Sequence, residues 1–152
     1  MSEKRRDQRG RILKTGESHR KDGLYMFRYT DTRKQRRYIY ARSLEELRRK
    51  EAVETALSLV GKVGYFWGGK SLVIGWDSRW GTLREVTAAG SSTTGTYRPY
   101  GLDCSGMMDW IFYNITGGEY ILGRGGGATA QRSYCTPVSQ ADAQPGDLAF
   151  YP

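Results

Sequence analysis

The positive charge of this chain is gathered at one end, and that constrains its architecture more than any other feature. Residues 1–50 hold 17 Lys or Arg against 7 Asp or Glu, a net +10, whereas residues 51–152 hold 7 against 9, a net −2. One core with a uniform surface has no reason to sort its charges this way; two units of different character do. A length of 152 residues accommodates two small domains. The expected division is 1–50 and 51–152. The basic part implies a nucleic acid or another anionic partner, and the remainder carries no such signal.

Residues 1–10 are polar and charged and are expected to stay disordered until a partner binds. Three strands are predicted next, over 11–15, 24–30 and 36–41, with Lys21-Asp22-Gly23 supplying a turn before the second. Period-two alternation puts Tyr25, Phe27 and Tyr29 on one face of the second strand, to be buried, and leaves Arg28 exposed on the other. Ser43-Leu44-Glu45-Glu46 is a capping-box pattern, in which the Ser43 hydroxyl accepts from the Glu46 N–H and the Glu46 carboxylate reaches back to the Ser43 N–H. No Gly or Pro interrupts 44–60, so one helix is predicted there. Its apolar stripe changes phase across Arg48-Arg49-Lys50-Glu51, which places the seam inside a helix. Domain boundaries ordinarily fall in flexible linkers, so this seam suggests a fusion made by recombination or deletion.

A three-stranded antiparallel sheet with Arg and Lys on one face and a helix on the other can neutralise phosphates and enter a major groove. The residues that build it, Arg9-Gly10-Arg11-Ile12-Leu13-Lys14-Thr15-Gly16-Glu17-Ser18, Lys21-Asp22-Gly23-x-Tyr25 and Tyr38-x-Tyr40-Ala41 running into Ser43-Leu44-Glu45-Glu46-Leu47, resemble the arm-type DNA-binding domain of conjugative-transposon tyrosine integrases. The resemblance implies duplex DNA as partner, with the sheet face inserted into the major groove. Carried over by matching faces, it gives contacts to Arg20, Lys21, Arg28, Tyr40 and Arg42, and a phosphate contact to Lys14. The integrase catalytic domain has no counterpart, so strand cleavage is not implied.

Beyond residue 60 the texture turns to Gly and aromatics. Loops and short strands are expected to about Gly101, then helices over 103–115 and 128–134 and a buried strand over 147–151. Cys104 and Cys135 are too few for a disulfide framework, and neither has metal-ligand spacing to another Cys or His, so no metal and no cofactor are expected. Cys104 falls at the first turn of a helix, where aligned N–H dipoles favour thiolate and can serve an oxyanion. Tyr65-Phe66-Trp67-Gly68-Gly69, Asp103-Cys104-Ser105-Gly106 with Trp110, and Pro145-Gly146-Asp147-Leu148-Ala149-Phe150-Tyr151 resemble, in that order, NlpC-family papain-like peptidases. The resemblance implies an α+β fold, a peptidoglycan stem peptide as partner, Cys104 as nucleophile and Tyr65 as a pocket residue beside it. It also implies a catalytic His on a strand after Tyr151, which is not in the sequence; His19 is the only imidazole and belongs to the first part. The module is therefore expected to be incomplete and catalytically inactive.

Gly64-x-x-x-x-Gly69-Lys70-Ser71 satisfies the phosphate-loop expression, but a helix rather than a strand is predicted before it and Tyr65, Phe66 and Trp67 fill the cradle, so no nucleotide is expected. The charged start, with no apolar run after it, points to the cytoplasm and to no membrane span. Three functions remain: a DNA-binding protein without recombinase chemistry, a cell-wall cysteine endopeptidase whose His is lost or encoded further on, and a recombination by-product.

Overall fold

Three strands near the N-terminus pair in the order β1–β2–β3, as β1 Glu17–His19, β2 Tyr25–Thr30 and β3 Arg36–Ala41, all antiparallel. They belong to a computed structural model that describes residues 4–31 and 33–151. Opposite residues share a face, so the register Tyr25↔Ala41 and Phe27↔Ile39 sets these four side chains against helix α1, Leu44–Leu57. Leu13, Tyr25, Ala41, Leu44 and Leu47 form the buried core, with Phe27 and Ile39 packed on it. The helix starts where the Ser43 hydroxyl accepts the Glu46 N–H at 3.1 Å. The Glu46 carboxylate accepts from the Arg42 N–H at 3.0 Å instead of from Ser43, so the reciprocal half of the box is displaced by one residue.

Two expectations need correction. The first strand is not 11–15 but Glu17–His19, because the earlier segment pairs with the N-terminal residues: Ile12 bridges Arg6, and the Leu13 N–H donates to the Arg5 carbonyl at 2.8 Å. Gly16 makes the entry into β1 with φ +90°, where a Cβ would come within 2.7 Å of the Arg28 carbonyl and the Phe27 ring. Nor are residues 4–10 unstructured, although residues 1–3 lie outside the described residues. Asp7 is buried and accepts from the Arg9 and Arg11 N–H groups at 2.9 Å, from Arg11 Nε at 2.8 Å and from the Tyr25 hydroxyl at 2.9 Å. Burial pushes its carboxyl up, but these four donors together outweigh that and hold it well below the usual range. One carboxylate thus converts a charged tail into a folded turn.

Two further carboxylates lie under the sheet. Glu17 is fully buried and takes both Arg48 Nε and Arg48 Nη2, at 2.9 and 3.0 Å, plus the Lys14 N–H at 2.7 Å. These donors overcome its burial and lower its pKa, so its stabilising effect is present above its ordinary value and lost as pH falls through the lowered one. Glu51, 2% exposed, runs the other way: burial and the neighbouring Glu17 charge push it from 4.5 up to about 7. Its contribution is complete below 4.5 and lost as pH rises through about 7. Glu51→Gln is expected to stabilise this unit at about pH 8, by at most about 3 kcal/mol, and to change little at about pH 4. Urea melts at the two pH values test this; equal effects at both would show that ionisation of Glu51 is not what opposes folding.

The chain divides into two compact units between Glu54 and Thr55, within the last turn of α1. The helix stops at Leu57, short of the expected 60, and the turns that follow reach Gly61 at φ +71°. The second unit contains a two-stranded arm, β4 Leu83–Glu85 and β5 Tyr97–Pro99, then α2 Cys104–Ile115 and α3 Gly127–Ser133. The protein is thus mixed α+β. Trp110 of α2 is buried edge-on against Trp80, their centroids 5.5 Å apart. The buried strand expected over 147–151 is not formed: no strand pairs with it among the described residues, and Tyr151 is 90% exposed. Among the described residues no helix is long and apolar enough to cross a membrane.

Candidate functional site

Because Tyr25, Phe27, Ile39 and Ala41 face the helix, the alternate residues face out. Cross-strand register puts Ser18 opposite Met26, Met26 opposite Tyr40, Arg28 opposite Tyr38, and Thr30 opposite Arg36. The outer face is thus an aromatic and cationic strip. Arg28 and Arg36 are exposed on it, and Tyr38 and Tyr40 are 48% and 44% exposed. Large aromatics are ordinarily withdrawn from water in a sheet this small, and two exposed side by side between arginines offer stacking and hydrogen-bonding surface to a ligand.

Of the six expected contact residues, three gather at one edge of this strip. Arg20 lies 5.5 Å from the Tyr40 ring centroid and is held by Asp22, through Nε and through an ion pair at 2.9 Å. Lys21 is exposed in the same turn, which Gly23 closes at φ +84°. Tyr40 completes the group. Arg28 stands further along β2, and Arg42 is exposed where β3 passes into α1. Lys14 is separate: its charge acts on Glu17 and Glu51, the carboxylates of the helix side. Tyr38 and Arg36 share this face and are not among the six; Met26, placed on the Arg28 side of the second strand by alternation, lies on it too. Counting back from Tyr40 by twos would have found the first two.

In the second unit the structure brings Tyr65 and Cys104 together through main chain. Tyr65 bridges Leu102 in parallel, the Leu102 N–H donates to Gly64, the Phe66 N–H to Leu102, and the Asp103 N–H to Gly69, each at 3.1 Å. Three glycines allow this approach. A Cβ on Gly69 would lie 2.3 Å from the Gly101 carbonyl, on Gly101 1.9 Å from that of Gly64, and on Gly106 2.0 Å from that of Gly69. Asp103 caps α2 by accepting the Gly106 N–H at 2.6 Å, which leaves Cys104 exposed in the first turn. The Tyr65 hydroxyl is pushed up by partial desolvation and then by the Cys104 and Asp103 charges.

Lys70, the lysine of the phosphate-loop expression, is occupied. Its ammonium pairs with Asp103 at 3.2 Å and Asp109 at 3.6 Å and donates to the Ser105 hydroxyl. The buried Gln131 amide donates to the Ser105 carbonyl and to Asp109, both at 2.8 Å, tying α3 to α2. No helix follows Lys70 directly. The lysine therefore closes a polar network beneath the α2 N-terminus, where a carboxylate pair would otherwise be left without a cation.

Residues 1–58 match the model of a family described as the DNA binding domain of Tn916 integrase. Over 41 residues the chain is 61% identical to the transposase from transposon Tn916 of Enterococcus faecalis and 58% identical to that from transposon Tn1545 of Streptococcus pneumoniae. Each match covers 27% of this chain and 10% of the relative, so it spans about a tenth of those proteins. Among solved structures, the N-terminal DNA-binding domain of Tn916 integrase, determined by NMR, is 57% identical over 28% of this chain and 59% of its own, with a TM-score of 0.26. The solution structure of that N-terminal domain in complex with DNA matches at the same identity and TM-score, over 61% of its chain.

Proposed function

We propose, from the premise that residues 1–58 are of the Tn916-integrase DNA-binding type, that this protein binds duplex DNA through the outer face of β1–β2–β3. The observation that carries the reading is the exposed strip of Arg28, Arg36, Tyr38 and Tyr40 on the sheet face away from α1. A sheet of this width fits a major groove, where arginine forks reach guanine edges and tyrosines reach thymine methyls or phosphates. Arg20, Lys21 and Arg42 at the margin of the strip serve phosphates and fix register, and Lys14 adds a phosphate contact from its own side. The reading covers residues 1–58 and does not extend to strand cleavage. Such a protein acts where DNA is, in the cytoplasm.

Substituting Arg28 or Tyr38 by Ala is expected to weaken binding to a selected site by about 10-fold or more, and binding to random duplex by much less. Selection of a preferred site from a random-duplex pool, followed by fluorescence anisotropy on both ligands, checks this. Equal losses on the selected and random duplexes would remove the sheet face from the interface.

A second reading concerns residues 53–152, as an NlpC-like peptidase module without hydrolytic turnover in these residues. It is supported by the exposed thiol of Cys104 in the first turn of α2 beside Tyr65, and by the absence of any His from residues 55–152. Departure of the amine in peptide cleavage needs a positioned proton donor, which an imidazole ordinarily supplies. Cys104 is expected to be alkylated by iodoacetamide several-fold faster than Cys135, whose thiol donates to the Gln131 carbonyl at 3.4 Å. A γ-D-glutamyl stem peptide is expected to remain intact. Mass spectrometry follows both; cleavage that disappears in Cys104→Ala would show that another group of the chain acts as base and acid.

A further inference from the structure

We infer that the turn between β2 and β3 is a further phosphate-binding element of the N-terminal unit, in which Arg33 and Lys34 hold the duplex backbone on the groove wall opposite the one met by Arg20 and Lys21. This rests on the DNA-binding reading of residues 1–58 and deepens it, because it gives the outer sheet face an orientation in the groove.

β2 runs from the turn of Arg20, Lys21 and Gly23 at one end to the turn of Asp31, Lys34 and Gln35 at the other, so the cations of the two turns flank the outer strip from opposite ends. Between them, at the middle of the strip, Arg28 and Tyr38 are exposed and directly opposed. A strand of 6 residues such as β2 is about 17 Å from end to end, whereas a major groove is about 12 Å wide. Laid across the groove, the strip brings its middle to base edges and both of its ends to phosphates. The order of charge along it, cations at each end with a mixed aromatic and cationic centre, is the order that such a crossing requires.

The turn itself is fixed by its one carboxylate. Asp31 accepts from the Arg33 and Gln35 N–H groups at 2.8 and 2.9 Å and from Arg37 Nε at 2.9 Å. Main chain completes the ring, with the Asp31 N–H donating to the Gln35 carbonyl and the Lys34 N–H to the Asp31 carbonyl, each at 2.9 Å. Asp31 is thereby used on backbone and on Arg37. Arg33 and Lys34 are exposed, and among the described residues neither forms an ion pair. Lys34 moreover stands at φ +60°, a backbone conformation in which Asn or Gly costs less. A rigid turn that accepts this cost, together with the repulsion among Arg33, Lys34 and Arg36, has its counterweight in an anion, and the phosphodiester backbone is the anion that the adjoining face is proposed to meet.

The test compares the full chain with the Arg33→Gln/Lys34→Asn variant on a random-sequence duplex, measuring affinity between about 50 and about 200 mM salt. The log–log slope is expected to fall in magnitude by about 2, with affinity down on the order of 10-fold at the low-salt end. Asn suits the left-handed backbone at Lys34, so circular dichroism melts should show the variant no less stable than the parent. A control, Arg49→Gln, removes a cation from α1 on the other side of the sheet and is expected to leave the slope close to that of the parent. Phosphate ethylation interference on a selected site then locates the contacts: both walls of the groove in the parent, one wall in the turn variant. An unchanged slope in the turn variant, an equal loss per charge in Arg49→Gln, or interference confined to one wall in the parent overturns the inference and leaves DNA binding by residues 1–58 standing. Absence of duplex binding by the parent chain at low salt overturns both.

Discussion

Raising salt from about 50 to about 200 mM is expected to weaken duplex binding by this protein roughly 150-fold or more. The figure follows from the four cations assigned to phosphates outside the β2–β3 turn, Lys14, Arg20, Lys21 and Arg42, to which that turn adds. Each phosphate neutralised releases counterions and contributes about −0.9 to the slope of log affinity against log salt. Four give about −3.6, which over a fourfold change in salt is a little over two decades. Not all of the 17 Lys and Arg of residues 1–50 can count. Arg11 is paired with Asp7, Arg37 with Asp31, Arg48 with Glu17 and Lys50 with Glu46, all off the outer face, whereas Arg20, although paired with Asp22, stands at its edge beside Tyr40. A slope near −10 would mean that the unit acts as a diffuse polycation and that the sheet face has no special part. A slope near zero would mean that charge does not drive binding.

Arg48→Met is expected to unfold the N-terminal unit at neutral pH. Arg48 supplies two charge-assisted hydrogen bonds to Glu17, which is fully buried, and a third donation to the Ile12 carbonyl at 3.1 Å. Without it, Glu17 and Glu51 are left as neighbouring buried carboxylates that have lost the Arg48 charge acting on both. Breaking one side of a buried ion pair costs about 3–5 kcal/mol. A unit of this size has, at about 0.05–0.15 kcal/mol per residue, a total stability of about 3–8 kcal/mol, so the loss is comparable with the whole. The melting transition of this unit should disappear and DNA binding with it. Arg48→Met combined with Glu17→Leu removes both charges and is expected to fold again, because apolar replacement of a buried pair is often neutral or stabilising. Retention of the parent transition by Arg48→Met alone would show that water or Lys14 compensates Glu17 fully.

How far the sequence could be read depended on whether a feature was local. The second and third strands, the Ser43 cap and the start of α2 at Asp103 each rest on contacts within a few residues, and they stand within one residue of their expected places. The first strand was displaced because Ile12 finds its partner in Arg6, a pairing that no alternation pattern announces. Asp7 looked like one more charge in a solvated tail; its value as an acceptor for Tyr25, 18 residues on, exists only once β2 is in place. The same limit hid the fate of Asp147–Tyr151. An apolar run states a preference for burial and says nothing about whether a neighbour exists to bury it. The outer sheet face was half legible: Arg28 and Tyr40 follow from matching faces, while Tyr38 and Arg36 needed the register.

The glycines that join the Tyr65 segment to α2 change what a motif can be taken to report. Gly69, Gly101 and Gly106 sit where any Cβ would overlap a carbonyl oxygen, at 2.3, 1.9 and 2.0 Å. Substitution at any of them would force two stretches of main chain apart and break the bonds from Leu102 to Gly64 and from Asp103 to Gly69. A lineage of this chain that had no use for a thiol would still be held to glycine at all three sites, by steric exclusion alone. The letters that make the segment look enzymatic are thus, in large part, a record of two backbones in contact, and they would outlast the chemistry they accompany.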